Sequence, residues 1–208
     1  MNEQIILIII LFFSVIIHEV SHGLAALYQG DRTAEEAGRL TLNPIPHIDL
    51  FGSIIVPMIF ITSGMNAFLA WAKPVPYNPN NLRDKKWGEL IVALAGPLSN
   101  FILMFLFLIL FWFFNHFGFG NEFILKILFT SAFMNLFLGI FNLVPVVPLD
   151  GSKVLFAFIP QKYYWNTRKF LEKNYLYIFL IFVFVIFNTS FLQDFSWNIF
   201  KWISNWFI

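Results

Sequence analysis

Five long apolar runs govern what this chain can fold into: Ile5–Tyr28, Leu50–Trp71, Leu90–Phe114, Phe123–Val147 and Tyr175–Leu192. About 20 apolar residues carry a helix across the hydrocarbon of a bilayer, and each run is that long or nearly so. Only 12% of the residues are charged, against about 25% in a soluble domain. The pattern predicts an all-α polytopic membrane protein, a single membrane-embedded domain over residues 1–208 with about five to six membrane segments. The sixth candidate, Gln193–Ile208, mixes Asp194 and Lys201 with Trp197, Trp202 and Trp206. Tryptophan favours the headgroup level, so this tail reads as interfacial, with a short span as the alternative. The residues before Ile5 include Glu3 and no Lys or Arg, unlike the basic start of a signal peptide. The first run is therefore expected to stay as a helix.

Charge orients these segments. Of the 13 Lys and Arg, 11 fall in three connecting loops: Arg32 and Arg39; Lys73, Arg83, Lys85 and Lys86; and Lys153, Lys162, Arg168, Lys169 and Lys173. The short link Asn115–Glu122 has none. The positive-inside rule puts the basic loops on the cytoplasmic side of a cell membrane and Asn115–Glu122 outside. Leu50–Trp71 then has cytoplasmic loops at both ends. With Gly52, Pro57 and Gly64 inside it, it is expected to enter the membrane and return, shielded by protein. Just before it, Arg39-Leu-Thr-Leu-Asn-Pro44 alternates apolar and polar residues, which predicts a small membrane-associated β element near residues 38–48.

A net charge of +1 offers no field to recruit nucleic acid. The absence of cysteine removes disulfides, thiolate metal sites and cysteine nucleophiles. Any metal must be held by His, Asp, Glu or backbone oxygen.

The chemistry concentrates in the first apolar run, at His18-Glu19-Val20-Ser21-His22. Helix positions four apart lie on one face, a turn apart, so both imidazoles reach one zinc ion and Glu19 reaches a water beside it. This is the two-ligand, one-base signature of a metalloprotease. A chain of this composition, shuffled, contains His-Glu-x-x-His about once in 500 trials. An ionisable group in a membrane helix costs about 2.5–3.5 kcal/mol, which argues for function over a mere hydrogen-bonded cluster. Catalytic zinc takes a third protein ligand. His116 is at the opposite membrane face, and His47 reads as a solvated or interfacial loop histidine. Asp150, in Pro148-Leu-Asp150-Gly151 after the fourth run, lies at the same depth as His18 and is the predicted third ligand. Asn100 and Asn142 are amides in or beside apolar runs, suited to a peptide-backbone partner, with interhelical hydrogen bonding as the competing use. Asn135 is assigned to packing.

His18-Glu19-x-x-His22 on a first membrane helix, with Asn142-x-x-Pro145 leading to Leu149-Asp150-Gly151, resembles the site-2 protease family of intramembrane metalloproteases, peptidase family M50. Gly96-Pro-Leu-Ser-Asn100, Arg39-Leu-Thr-Leu-Asn-Pro44 and Ala72-Lys-Pro-Val-Pro76 extend the likeness. The resemblance implies one zinc held by His18, His22 and Asp150, with Glu19 as base. It implies substrate contacts by Asn142, a β segment near 38–48 that holds substrate extended, and transmembrane proteins as substrates. The link Asn115–Glu122 leaves no room for the PDZ domain of better-known members, and no regulatory domain is apparent. Three rivals remain at this stage: a catalytically silent membrane chaperone or binding protein of the same fold, a metal transporter, and a zinc hydrolase acting on something other than peptide. Glu19 beside two metal ligands argues against the first two, and only the family resemblance argues against the third.

Overall fold

The computed structural model describes residues 2–56, 58, 62, 71–84 and 87–208. Its helices are α1 (Asn2–Tyr28), α2 (Thr33–Glu36), α3 (Gly88–His116), α4 (Glu122–Asn142), α5 (Asp150–Phe158), α6 (Gln161–Lys173), α7 (Tyr175–Asn188) and α8 (Phe191–Ser204). Among the described residues three helical segments are long and apolar enough to cross a membrane: Glu3–Tyr28, Gly88–His116 and Glu122–Asn142. A fourth crossing arises only if Tyr175–Ile186 and Phe191–Ser204, bent by 64° to each other, count as one.

That is fewer than the five to six segments expected. The fourth apolar run is counted, but it stops being helical at Asn142 rather than Val147, because Pro145 and Pro148 cannot donate to the helix ladder. α7 has 14 residues, or about 21 Å, short of a hydrocarbon core of about 30 Å. The re-entrant segment expected at Leu50–Trp71 lies largely outside the described residues. Its two ends are described and meet: the Trp71 amide donates to the Gly52 carbonyl at 3.1 Å, and the Ser53 hydroxyl donates to the Trp71 carbonyl at 2.9 Å.

The β element expected near 38–48 is not formed. Gly38 turns the chain with φ of +64°, and Ile45–His47 is a short 3-10 helix. The Thr41 hydroxyl accepts the Asn43 amide, and the Asn43 side chain accepts the Ile45 amide, each at 3.1 Å. Such side-chain acceptors offer the backbone a local alternative to a ladder, and Pro44 and Pro46 remove donors that a strand would use. His47 also departs from expectation. It is fully buried, its Nε2 bonded to the Thr41 carbonyl at 2.9 Å, while its backbone carbonyl accepts the Lys73 amide at 2.9 Å.

α1, α3 and α4 pack together as the core. At one end, Glu3 of α1 pairs with Lys126 of α4 at 2.8 Å, so these two helices start at the same face, with α3 running against them. Met104 and Leu108 of α3, Ala132 and Leu136 of α4 and Phe200 of α8 form a buried apolar cluster. The tail packs on the bundle: Phe200 has no exposed surface. The other ends of α1 and α4, with the start of α3, carry the polar residues.

Candidate metal centre

His18 and His22 lie one turn apart near the end of α1, their rings edge to face with centroids 4.6 Å apart. Both are buried. Asp150 opens α5, just after the proline-broken end of α4. Its Oδ2 lies 3.1 Å from His18 Nε2 and 3.0 Å from His22 Nε2, and the two Nε2 atoms are 3.0 Å apart. The sequence separation of 132 residues between His18 and Asp150 closes because α1 and α4 run in the same direction and end at the same level.

Two glycines make this convergence possible. A Cβ on Gly96 of α3 would lie 2.4 Å from His22 Nε2 and 2.6 Å from His18 Nε2. Only a residue without a side chain lets α3 pass behind the imidazoles. A Cβ on Gly151 would lie 2.2 Å from the Leu143 carbonyl oxygen, so Gly151 seats the start of α5 on the end of α4 and aims Asp150 inward.

The ring nitrogens facing away from the cluster are also bonded. His22 Nδ1 donates to the Val92 carbonyl at 2.7 Å. A backbone carbonyl only accepts, so this ring carries its proton on Nδ1 and presents a bare Nε2. His18 Nδ1 is 2.6 Å from Asn100 Oδ1. Such partners orient metal-binding imidazoles and fix their tautomer. Asp150 is likewise prepared. Burial opposes its ionisation, but the polar and charged groups around it, Lys153 among them, outweigh burial and hold its carboxyl well below the usual range. Lys153 Nζ lies 3.5 Å from the other oxygen, Oδ1, and over the Tyr77 ring at 5.3 Å.

These residues fit zinc. Three convergent N, N and O atoms, one from each residue, lie within 4.8 Å of one another. Around tetrahedral zinc, ligand atoms about 2.0–2.1 Å from the ion sit about 3.3 Å apart, close to the separations here. Two histidines and one carboxylate form a catalytic ligand set, with one coordination position left for water or substrate.

Glu19 neighbours His18 on α1. Its carboxylate accepts the Val75 amide at 2.9 Å, which ties it to the extended segment 71–78. That segment is held in turn by Arg39, whose guanidinium donates to the Lys73 carbonyl at 2.7 Å. Asn142 is partly buried at the end of α4, its amide donating to the Leu138 carbonyl at 3.0 Å. Asn100 is fully buried behind His18, and its amide nitrogen donates to Asn135 at 3.2 Å. Sequence reasoning missed the contacts of Gly96, the Val92 carbonyl, the Val75 amide and Lys153. For Gly96 a signal existed, since a glycine preceding a proline inside an apolar run marks close approach of another helix.

Two overlapping matches to the family model "Peptidase family M50" cover residues 6–127 and 120–186. The provisionally named zinc metalloprotease YwhC of Bacillus subtilis is 33% identical over 188 residues, covering 88% of this chain and 80% of its own. Zinc metalloprotease MJ0392 of Methanocaldococcus jannaschii is 30% identical over 189 residues, 88% of this chain but only 44% of the archaeal one. The provisionally named zinc metalloprotease Rip2 of Mycolicibacterium smegmatis is 32% identical over 147 residues, 68% of this chain and 52% of its own. No solved structure matches.

Proposed function

The chain belongs to peptidase family M50, as an integral membrane zinc metalloprotease, and on that premise we propose that it hydrolyses peptide bonds within or beside the transmembrane segments of other membrane proteins. The observation that carries this reading is the convergence of His18, His22 and Asp150 on one point, with Glu19 next to His18 on the same helix.

In this reading His18, His22 and Asp150 hold one zinc. Zinc bound there lowers the pKa of a water to about 7 and polarises the scissile carbonyl. Glu19 takes the proton of the attacking water and delivers it to the leaving amine. The bond from the Val75 amide fixes the carboxylate's direction before substrate arrives. Asn142 faces substrate backbone. Asn100 is assigned to holding His18 rather than substrate, because both functions of its side chain are already used by protein. A helical substrate must unwind to expose a carbonyl, and the segment 71–78, with few helical hydrogen bonds of its own, lies beside Glu19 to receive it.

The finer topology is part of the same proposal. The two described ends of Leu50–Trp71 meet through the bonds between Gly52, Ser53 and Trp71, which supports entry and exit at one face. With the bent α7–α8 pair this gives about five to six membrane segments. The basic loops and the metal end face the cytoplasm, in a cell membrane.

The test is cleavage of a tagged transmembrane substrate by purified protein in detergent, with bound metal quantified. Wild type should cut and hold about one zinc per chain. Glu19→Gln should keep its zinc and lose about 10³-fold in rate, since it removes the base and spares the ligands. Wild type without zinc would overturn the reading. Wild type that binds zinc yet leaves a panel of substrates intact would point to the silent binding protein instead.

A further inference from the structure

Behind His18 lies a line of hydrogen bonds that crosses all three core helices. His18 Nδ1 meets Asn100 Oδ1 at 2.6 Å; Asn100 Nδ2 meets Asn135 Oδ1 at 3.2 Å; Asn135 Nδ2 meets Ser14 Oγ at 3.1 Å; and Ser14 Oγ meets the Ile10 carbonyl at 2.9 Å. Asn135 Nδ2 also reaches the Ser131 carbonyl at 3.0 Å. Asn100 and Asn135 have no exposed surface, and Ser14 is buried.

The direction of this line is not free. The Ser131 carbonyl only accepts, so the Asn135 side chain must turn its nitrogen toward it. Its oxygen then faces Asn100. Asn100 must answer with its own nitrogen, because two facing amide oxygens would leave buried acceptors opposed, at the full cost of an unmade hydrogen bond. The Asn100 oxygen is left at His18, and only a protonated Nδ1 satisfies it. Reversing Asn135 breaks the sequence at the Ser131 carbonyl, and reversing Asn100 alone sets its oxygen against that of Asn135. The Ser14 hydroxyl, donating to Ile10 and accepting from Asn135, agrees with the same direction.

We propose that Asn135, set by the Ser131 carbonyl, is a positioning residue that places the proton of His18 on Nδ1 and so turns a bare Nε2 toward the metal. This rests on the reading of His18 as a zinc ligand. The two ligating histidines thereby reach one tautomer by different routes. His22 is set directly by the Val92 carbonyl. His18 is set through two amides by a carbonyl of α4. Asn135 touches neither metal nor substrate; it acts through Asn100.

The experiment uses full-length protein in detergent micelles, labelled with ¹⁵N-histidine. The tautomer of His18 is read by NMR in metal-free protein carrying Asp150→Ala, which removes the carboxylate 3.1 Å from Nε2, at a pH where the ring is neutral. Zinc affinity is read separately by chelator competition in protein that keeps Asp150. In the Asp150→Ala background, with Asn135 intact, His18 should carry the proton on Nδ1. Asn135→Leu, of similar size and without an amide, should shift much of it to Nε2 and weaken zinc binding about tenfold. Ser14→Ala should change little, because the Ser131 carbonyl still orients Asn135. The double variant Asn100→Asp with Asn135→Leu should regain zinc affinity, since a carboxylate accepts from Nδ1 without instruction. A packing role for Asn135 predicts no such rescue. A neutral His18 protonated on Nε2 in the Asp150→Ala background, with Asn135 intact, overturns the proposal. So does an added Asn135→Leu that leaves tautomer and affinity unchanged. Wild type that binds no zinc, with the proton on Nδ1 in that background, sinks the metal reading while upholding the proton placement.

Discussion

In one cluster of the bundle, Met104, Leu108, Ala132, Leu136 and Phe200 fill the space between helices with hydrocarbon alone. In a second, around the metal residues, α1, α3 and α4 meet through Ser14, His18, His22, Asn100, Asn135 and the hydrogen atom of Gly96. In lipid, helices gain little from burying apolar surface, since the tails are as apolar as leucine, and association depends on close packing and interhelical hydrogen bonds. The apolar cluster relies on the first and the polar cluster on both. The apolar cluster can therefore lose shape and cost stability, whereas the polar cluster can lose a ligand's geometry and cost zinc while the helices stay packed.

Four substitutions separate these clusters. Asp150→Ala removes one of three ligands; zinc affinity should fall about a thousandfold in chelator competition, with the thermal midpoint of the stripped protein little changed. Phe200→Ala empties a fully buried position. It should cost about 3 kcal/mol in denaturant titration and leave zinc affinity within about twofold. Should zinc weaken in step, the two clusters are coupled and the comparison fails. Gly96→Ala brings a methyl within 2.4–2.6 Å of both imidazoles. Zinc affinity should fall about 10–100-fold, with helix content by circular dichroism retained. Glu3→Gln removes the exposed pair with Lys126 and should shift neither the thermal midpoint nor zinc binding measurably.

The site was legible in the sequence to the extent that chemistry restricts residue choice. An apolar run tolerates His18, Glu19 and His22 only for a reason, and the periodicity of a helix turns their spacing into geometry. Asp150 followed from topology: two helices running the same way end at the same depth. What could not be read was anything set by a specific neighbour. His47 sits in a polar-looking loop yet is buried, because segments 38–48 and 71–75 cover each other through the bonds from Lys73 and Arg39. Thr41 and Asn43 look like strand positions by alternation, and their own side chains divert the backbone. Asn135 looks like one more packing amide; its consequence depends on which carbonyl lies against it, and only a folded chain says so. Gly96 signals a close helix approach, but that two imidazoles lie opposite its hydrogen is visible only in the fold.

The 132 residues between His18 and Asp150 also set a schedule for how the protein is made. At about 5–20 residues per second, α1 emerges on the order of ten seconds before its last ligand. During that interval two imidazoles and a carboxylate sit in or near the bilayer without α3 behind them or Asp150 before them, each costing about 2.5–3.5 kcal/mol. The newborn first helix is thus a poor membrane resident on its own. A chain interrupted before residue 150 lacks the third donor, so a complete donor set marks a polypeptide grown past residue 150 and assembled.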